Sequence, residues 1–160
     1  MADDLTHFDP DGRARMVDVG DKPETNRRAV AMGHVVMQPA TGKRILDGQI
    51  GKGDVLQVAR LAGIMAAKKT ADIIPLCHPL PLTAINIDLK ISEDLTTVEI
   101  VAECKTSGKT GVEMEALTAV SVSALTVYDM AKAIDREMKI EGVKLLFKSG
   151  GKSGTFEASP

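Results

Sequence analysis

The stretch Ile85-Asn86-Ile87-Asp88-Leu89-Lys90-Ile91 alternates apolar and polar residues without a break. Successive side chains of a strand point to opposite faces, so this period of two reads as a half-buried β-strand. Glu93-Asp94 turns the chain, and Val98, Ile100 and Ala102 alternate with Glu99, Val101 and Glu103 as a return strand running to about Thr106. The pair is a hairpin. Beyond it, the glycine loop Gly108-Lys109-Thr110-Gly111 leads into Val112 to Met138, a run without Gly or Pro that predicts the longest helix. Its segment Ala116 to Tyr128 carries no charge and so has no solvated face. One side can lie on the sheet; the other is expected to meet a second subunit, or else to be central within one chain. Val143, Leu145 and Phe147 make a last strand before the glycine- and lysine-rich tail Lys148 to Gly154.

Working back from the hairpin, Pro75, Pro79 and Pro81 force extended backbone around Cys77-His78. Asp54 is a candidate N-cap for a helix in which Val55, Val58, Ala59, Ala62, Met65 and Ala66 recur at three and four, ending at Lys68-Lys69 where cations suit the dipole. A loop is expected from Pro39 to Gly53, because Pro39 and Thr41-Gly42-Lys43 end a strand over Arg27 to Gln38. Residues 1–25, broken by Pro10, Gly12, Gly20 and Pro23, read as an N-terminal arm. The order β-α-β-β-α-β predicts an α+β, ferredoxin-like fold, an antiparallel sheet with two helices on one face, and the length predicts residues 1–160 as a single domain.

Composition narrows the function classes. The 160 residues carry 20 Lys+Arg against 22 Asp+Glu, a net charge of −2, with 44% hydrophobic residues. A general nucleic-acid or membrane-surface binder would be net basic. Phe8, Phe147, Phe156 and Tyr128 are too few and too scattered to stack bases. The uncharged stretch Ile73 to Ile87 is short for a membrane span and interrupted by prolines. Cys77 and Cys104 lack CxxC spacing and the chain opens on Met1-Ala2-Asp3-Asp4-Leu5, so a reduced, cytoplasmic protein is expected.

Any anion site must therefore be local, and lysine follows glycine four times: Gly42-Lys43, Gly51-Lys52, Gly108-Lys109 and Gly151-Lys152. Glycine lets backbone approach a phosphate and lysine supplies charge. These are not Walker loops, since Glu103 and Leu146 stand where the first glycine would be. Lys52 sits at the positive end of a helix dipole, which favours an anion sharing its site, the alternative being a lysine pointing to water. Asp129 and Lys132 are three apart on one helix face, an exposed salt bridge or a partly desolvated acid-base pair. Glu113 and Glu115 open the same helix. Glu115 and Asp129 are separated by roughly 21 Å along it, so both can serve one site only across two subunits or with an extended ligand. His78 beside Cys77 lacks the spacing of a zinc set; it reads as a hydrogen-bond donor, a proton shuttle or a structural residue, and Cys77 as a small buried hydrophobe.

The strings Met16-Val17-Asp18-Val19, Lys52-Gly53-Asp54, Ala62-Gly63-Ile64, Ala66-Ala67-Lys68, Ile74-Pro75-Leu76-Cys77-His78-Pro79-Leu80, Thr110 to Ala119, Tyr128-Asp129-Met130 and Lys148 to Gly154 closely resemble the cyclic pyranopterin monophosphate synthase family of molybdenum cofactor biosynthesis, from about Leu5 to Phe156. The resemblance implies a lyase. It would convert 3′,8-cyclo-7,8-dihydroguanosine 5′-triphosphate to cyclic pyranopterin monophosphate, a pterin product, with release of pyrophosphate. It implies catalytic roles for Asp129, Lys132 and Lys52, with the lysines as general acid and base and Asp129 tuning Lys132. Substrate contacts are implied for Leu76, Cys77, His78, Met114 and Glu115, with Arg27, Lys68, Glu113, Lys148 and Lys152 as further site members. It implies no cofactor and no metal, though Mg²⁺ can accompany a triphosphate. It further implies a homohexamer, a trimer of dimers with sites at subunit interfaces, and no nucleic acid or membrane partner. The rival reading is a non-catalytic nucleotide-binding regulatory module on the same scaffold.

Overall fold

Thr25–Val36 forms β1, and its two neighbours in the sheet come from far along the chain. The computed structural model describes residues 7–159; the acidic opening and the first residues of the arm lie outside them. After β1 come α1 (Pro39–Leu46), α2 (Val55–Ala67), the single turn α3 (Thr70–Ile73) and β2 (Leu82–Ile91). Then follow β3 (Thr97–Gly108), α4 (Glu113–Ala131), β4 (Lys139–Ser149) and the two-residue β5 (Phe156–Glu157). The sheet order is β2-β3-β1-β4-β5 with every pairing antiparallel. This is the expected ferredoxin-like arrangement, with α2 and α4 against the sheet.

The hairpin forms as its alternation requires: Ile87 and Leu89 of β2 and Val98, Ile100, Ala102 and Cys104 of β3 are buried, while Asp88, Lys90, Glu99 and Val101 face out. Ala29, Ala31 and Val35 supply the matching row on β1. Across this surface α4 lays Ala116, Ala119, Val120, Ala124 and Val127, all fully buried. The small residues permit close approach, and α2 comes closest of all at Gly63. A Cβ there would fall 2.6 Å from Ile87 Cδ1 and 2.9 Å from the Ala119 carbonyl oxygen. Next to it, the buried Ser123 hydroxyl donates to the Ala59 carbonyl at 3.0 Å, so the contact leaves no polar group unpaired. Asp54 caps α2, accepting from Gln57 N at 3.1 Å. On the outer strand β2, Arg60 of α2 donates from Nε to the Ile87 carbonyl at 2.9 Å.

Two boundaries differ from the sequence reading for one reason. Pro39 to Leu46 is a helix and not a loop: Pro39 sits in the first turn, where its missing N–H costs nothing. The long helix ends at Ala131 and not at Met138, because the chain turns back to bring the buried Asp135 to the start of α1. The Asp135 carboxylate accepts from Gln38 N at 2.9 Å and Thr41 Oγ1 at 3.1 Å, doing for α1 what its own N-cap side chain does not. The first strand also starts and stops two residues earlier than Arg27 to Gln38, and β4 is longer than Val143 to Phe147.

Gly63→Ala is expected to destabilise the fold by about 1–3 kcal/mol through overpacking of α2 on α4. Asp135→Ala is expected to cost about 1–3 kcal/mol by leaving the α1 donors unmet. Urea midpoints, with unchanged slopes, check both.

Candidate active site

Two adjoining cavities open at the end of the sheet where α4 begins. The first, about 660 Å³, is lined by Lys22, Arg27, Arg28, Lys109, Lys148 and Lys152, with Glu113 as its one carboxylate. Glu113 is already ion-paired with Lys148 at 3.0 Å. Arg27 is held by donation from Nε to the Gly108 carbonyl at 3.2 Å. Gly150 and Gly151, with φ of 100° and 74°, wrap it, and a side chain on Gly151 would strike the guanidinium. Arg28 pairs with Glu103 at 2.5 Å and lies over the Phe147 ring, 4.7 Å from its centre. Lys109 donates to the Gly20 carbonyl at 2.6 Å. Cations from the arm, β1, the glycine loop and the tail thus converge where the dipole of α4 also favours negative charge.

The second cavity, about 400 Å³, is lined by Leu76, Cys77, His78 and Leu80 of the proline-rich segment and by Met114 and Glu115 of α4. Val17 and Val19 of the arm close one side, so the arm is part of the site. His78 Nε2 lies 2.9 Å from the Val17 carbonyl, which can only accept, so Nε2 carries a proton and donates in this contact. Glu115 is 4% exposed, and burial, with Glu113 nearby, pushes its carboxyl up to about 7. That places a carboxylic acid able to give or take a proton near neutral pH in the wall of the second cavity. Cys77 is half-buried and lines the cavity, where the sequence reading had a buried hydrophobe; burial and then Glu115 raise its thiol, which disfavours the thiolate. Cys104, in the core, is pushed up to about 12 by burial.

The third group lies at the other end of α4. Asp129 accepts from Lys132 Nζ at 2.7 Å and from Lys52 Nζ at 3.4 Å, and Lys52 also donates to the Asp129 main-chain carbonyl at 2.9 Å. The antiparallel packing of α2 on α4 explains this. It sets the positive end of α2 beside the negative end of α4, so the anion that the position of Lys52 called for is Asp129 together with the last carbonyls of α4. Hydrogen bonds from Lys132 and then Lys52 hold the Asp129 carboxyl below the usual carboxylate range, and the Asp129 carboxylate pushes Lys132 up. Of the two readings open for this pair, the chain shows the exposed salt bridge and not the partly desolvated lysine: the Lys132 side chain is 52% exposed and held as the cation.

The structure therefore gathers Arg27, Glu113, Lys148 and Lys152 in one cavity and Leu76, Cys77, His78, Met114 and Glu115 in the next, with Glu113 at both. It keeps Lys52, Asp129 and Lys132 apart from them, and Lys68, at the C-terminal cap of α2, lines neither. Of the glycine-lysine pairs, Lys109 and Lys152 converge on the first cavity, while Lys43 pairs with Asp47 and Lys52 with Asp129. The sequence reading missed Lys22 and Arg28, and named Lys109 without placing it in the site. The glycine before Lys109 and the arginine before Arg28 were usable signals; nothing local marks Lys22. Among the described residues, no three His, Cys, Asp or Glu side chains come together as a metal-ligand set.

Comparison with known proteins gives the family. The MoaC family model matches residues 16–151. A relative from Heliobacterium modesticaldum named cyclic pyranopterin monophosphate synthase is 61% identical over 154 residues, 96% of this chain and 97% of its own. One of the same name from Dinoroseobacter shibae is 62% identical over 154 residues, covering 96% and 98%. Another from a Roseiflexus species is 61% identical over 153 residues, covering 96% and 97%. The match takes in the Lys52–Asp129–Lys132 cluster and most of the lining of both cavities, with His7, Lys152 and Ser153 outside it, and on it the chain belongs to the MoaC family.

Proposed function

We propose that this chain is a cyclic pyranopterin monophosphate synthase, a lyase of molybdenum cofactor biosynthesis, and that its active site forms where the cavities of one copy meet the Lys52–Asp129–Lys132 cluster of another. The substrate is 3′,8-cyclo-7,8-dihydroguanosine 5′-triphosphate and the leaving group pyrophosphate. The observation that carries the two-copy site is the placement of these groups at opposite ends of α4, a helix of 19 residues. Exposed apolar side chains on the helix layer, Val58, Leu61 and Met65 of α2 and Leu125 of α4, support an assembly of copies, and a homohexamer fits it. The relatives' shared name favours an enzyme over a nucleotide-binding regulatory module.

In this reading the first cavity holds the triphosphate and the second the ring. Opening and rebuilding the ring moves protons and not electrons, so the reading calls on no redox cofactor; Mg²⁺ with the triphosphate is compatible with it. Lys132, kept protonated by Asp129, is the general acid, and Lys52, bound to the same carboxylate, is its partner as general base. Lys68 joins the site from the end of α2. No helix among the described residues is long and apolar enough to cross a membrane, and the reading places the enzyme in a reduced cytoplasm with Cys77 and Cys104 free.

Lys132→Ala and Asp129→Asn, each still folded and assembled, are expected to lose more than about a hundredfold in turnover, measured as pyrophosphate and cyclic pyranopterin by mass spectrometry. Near-wild-type turnover would remove the cluster from the mechanism. Mixing Lys132→Ala subunits with His78→Ala subunits after dissociation is expected to restore on the order of a quarter of wild-type turnover, because random assembly pairs an intact cavity with an intact cluster at that frequency. No recovery in verified mixed assemblies would place the site within one copy.

The raised Glu115 carboxyl has its own signature. A group that binds its proton more tightly when folded contributes stability at low pH and loses it as pH rises through the folded value, here from about 4.5 to about 7. Glu115→Gln should therefore gain about 1–3 kcal/mol relative to wild type between about pH 5 and pH 8, read from denaturant midpoints.

A further inference from the structure

Four residues line both cavities: Lys22, Thr110, Gly111 and Glu113. They mark the junction between the cation-lined chamber and the one walled by Leu76, Cys77, His78 and Met114. A ligand with a ring in one and a polyphosphate in the other must pass its innermost phosphate through this point. The charges there are unequal in availability. Glu113 is committed to Lys148 at 3.0 Å, whereas among the described residues no carboxylate or side-chain acceptor engages the Lys22 ammonium. Lys22 is also held in place by its own segment. Its N–H donates to the Val19 carbonyl at 3.1 Å, Gly20 N donates to Asp18 Oδ1 at 2.8 Å, and the turn is tied down at Val17 by His78 and at Gly20 by Lys109.

We propose that Lys22 is a catalytic residue for the phosphoryl step, distinct from the groups that rearrange the ring and from the cations that only hold the outer phosphates. This rests on the substrate reading given above. In that step a sugar-derived hydroxyl oxygen forms a bond to the α-phosphorus and the bond from that phosphorus to the oxygen bridging the β-phosphorus breaks. The electron pair stays on the bridging oxygen, the hydroxyl proton ends on the departing pyrophosphate, and the cyclic phosphate remains. The Lys22 ammonium stabilises the charge that builds on the phosphate oxygens as the bond breaks. Lys152, which lines only the polyphosphate cavity, contributes binding shared by ground and transition states.

The test compares wild type, Lys22→Ala, Lys22→Arg and Lys152→Ala with the cyclised guanosine triphosphate, following pyrophosphate and the quenched pterin species by mass spectrometry. Lys22→Ala is expected to lower kcat for pyrophosphate release by about a hundredfold or more at saturating substrate, with Kd changed less than about tenfold. A ring-rearranged species still bearing the triphosphate should accumulate, and Lys22→Arg should recover part of the rate. Lys152→Ala should raise KM and leave kcat near wild type. Wild-type kcat in Lys22→Ala, a pure KM effect, or equal loss of ring rearrangement and pyrophosphate release would each overturn the assignment to Lys22. A wild-type protein that forms no cyclic product would instead overturn the substrate reading on which it rests.

Discussion

The contact between α2 and α4 at Gly63 and Ser123 is the constraint on which the rest of the molecule depends. Two helices can approach this closely only where one offers no side chain and the other offers small ones, and where the hydroxyl trapped between them finds a carbonyl. The consequence is a fixed antiparallel register. That register lays the start of α2 against the end of α4 and so brings Lys52 to Asp129, residues far apart in the chain. The same register sends the start of α4 to the opposite end of the layer, among the cations. One packing decision thus separates the Lys52–Asp129–Lys132 cluster from the cation-lined cavity.

The electrostatics of the two ends differ in kind. At the cluster, charges neutralise one another in water-accessible surroundings, which lowers Asp129 and raises Lys132. At the cavities, positive charge is left in excess while a single buried acid, Glu115, is pushed the other way by the loss of solvent. A chain with a net charge of −2 therefore carries a strongly positive chamber, because its acids are spent elsewhere on the surface.

How much of this was legible depended on the range of the interactions involved. The hairpin and the body of α4 are written in local periodicity, and the ferredoxin-like strand order follows from the succession of elements. The two misplaced boundaries share one non-local cause. Asp135 reaches a donor 97 residues earlier, and without that contact neither the helix at Pro39 nor the early end of α4 has a local signal. The site divides in the same way. Asp129 and Lys132 are neighbours by helical spacing, and the glycine-lysine pairs at 108–109 and 151–152 announce anion chemistry. Lys22 stands in a polar arm with no periodicity, and only the folding of that arm onto His78 and Lys109 gives it a place.

The two ends of the sheet carry a further implication for how copies of this chain can meet. An outer strand ordinarily offers a row of open carbonyls and amides on which another chain can build. On the β2 side, Arg60 already occupies the Ile87 carbonyl in the middle of that row, whereas on the far side β5 pairs only with Phe147 and Lys148, so that among the described residues no strand covers the outer edge of β4 from Lys139 to Leu145. One border is therefore interrupted and the other largely open, so a second chain adding a strand would find its unpaired backbone along β4 and not across the middle of β2.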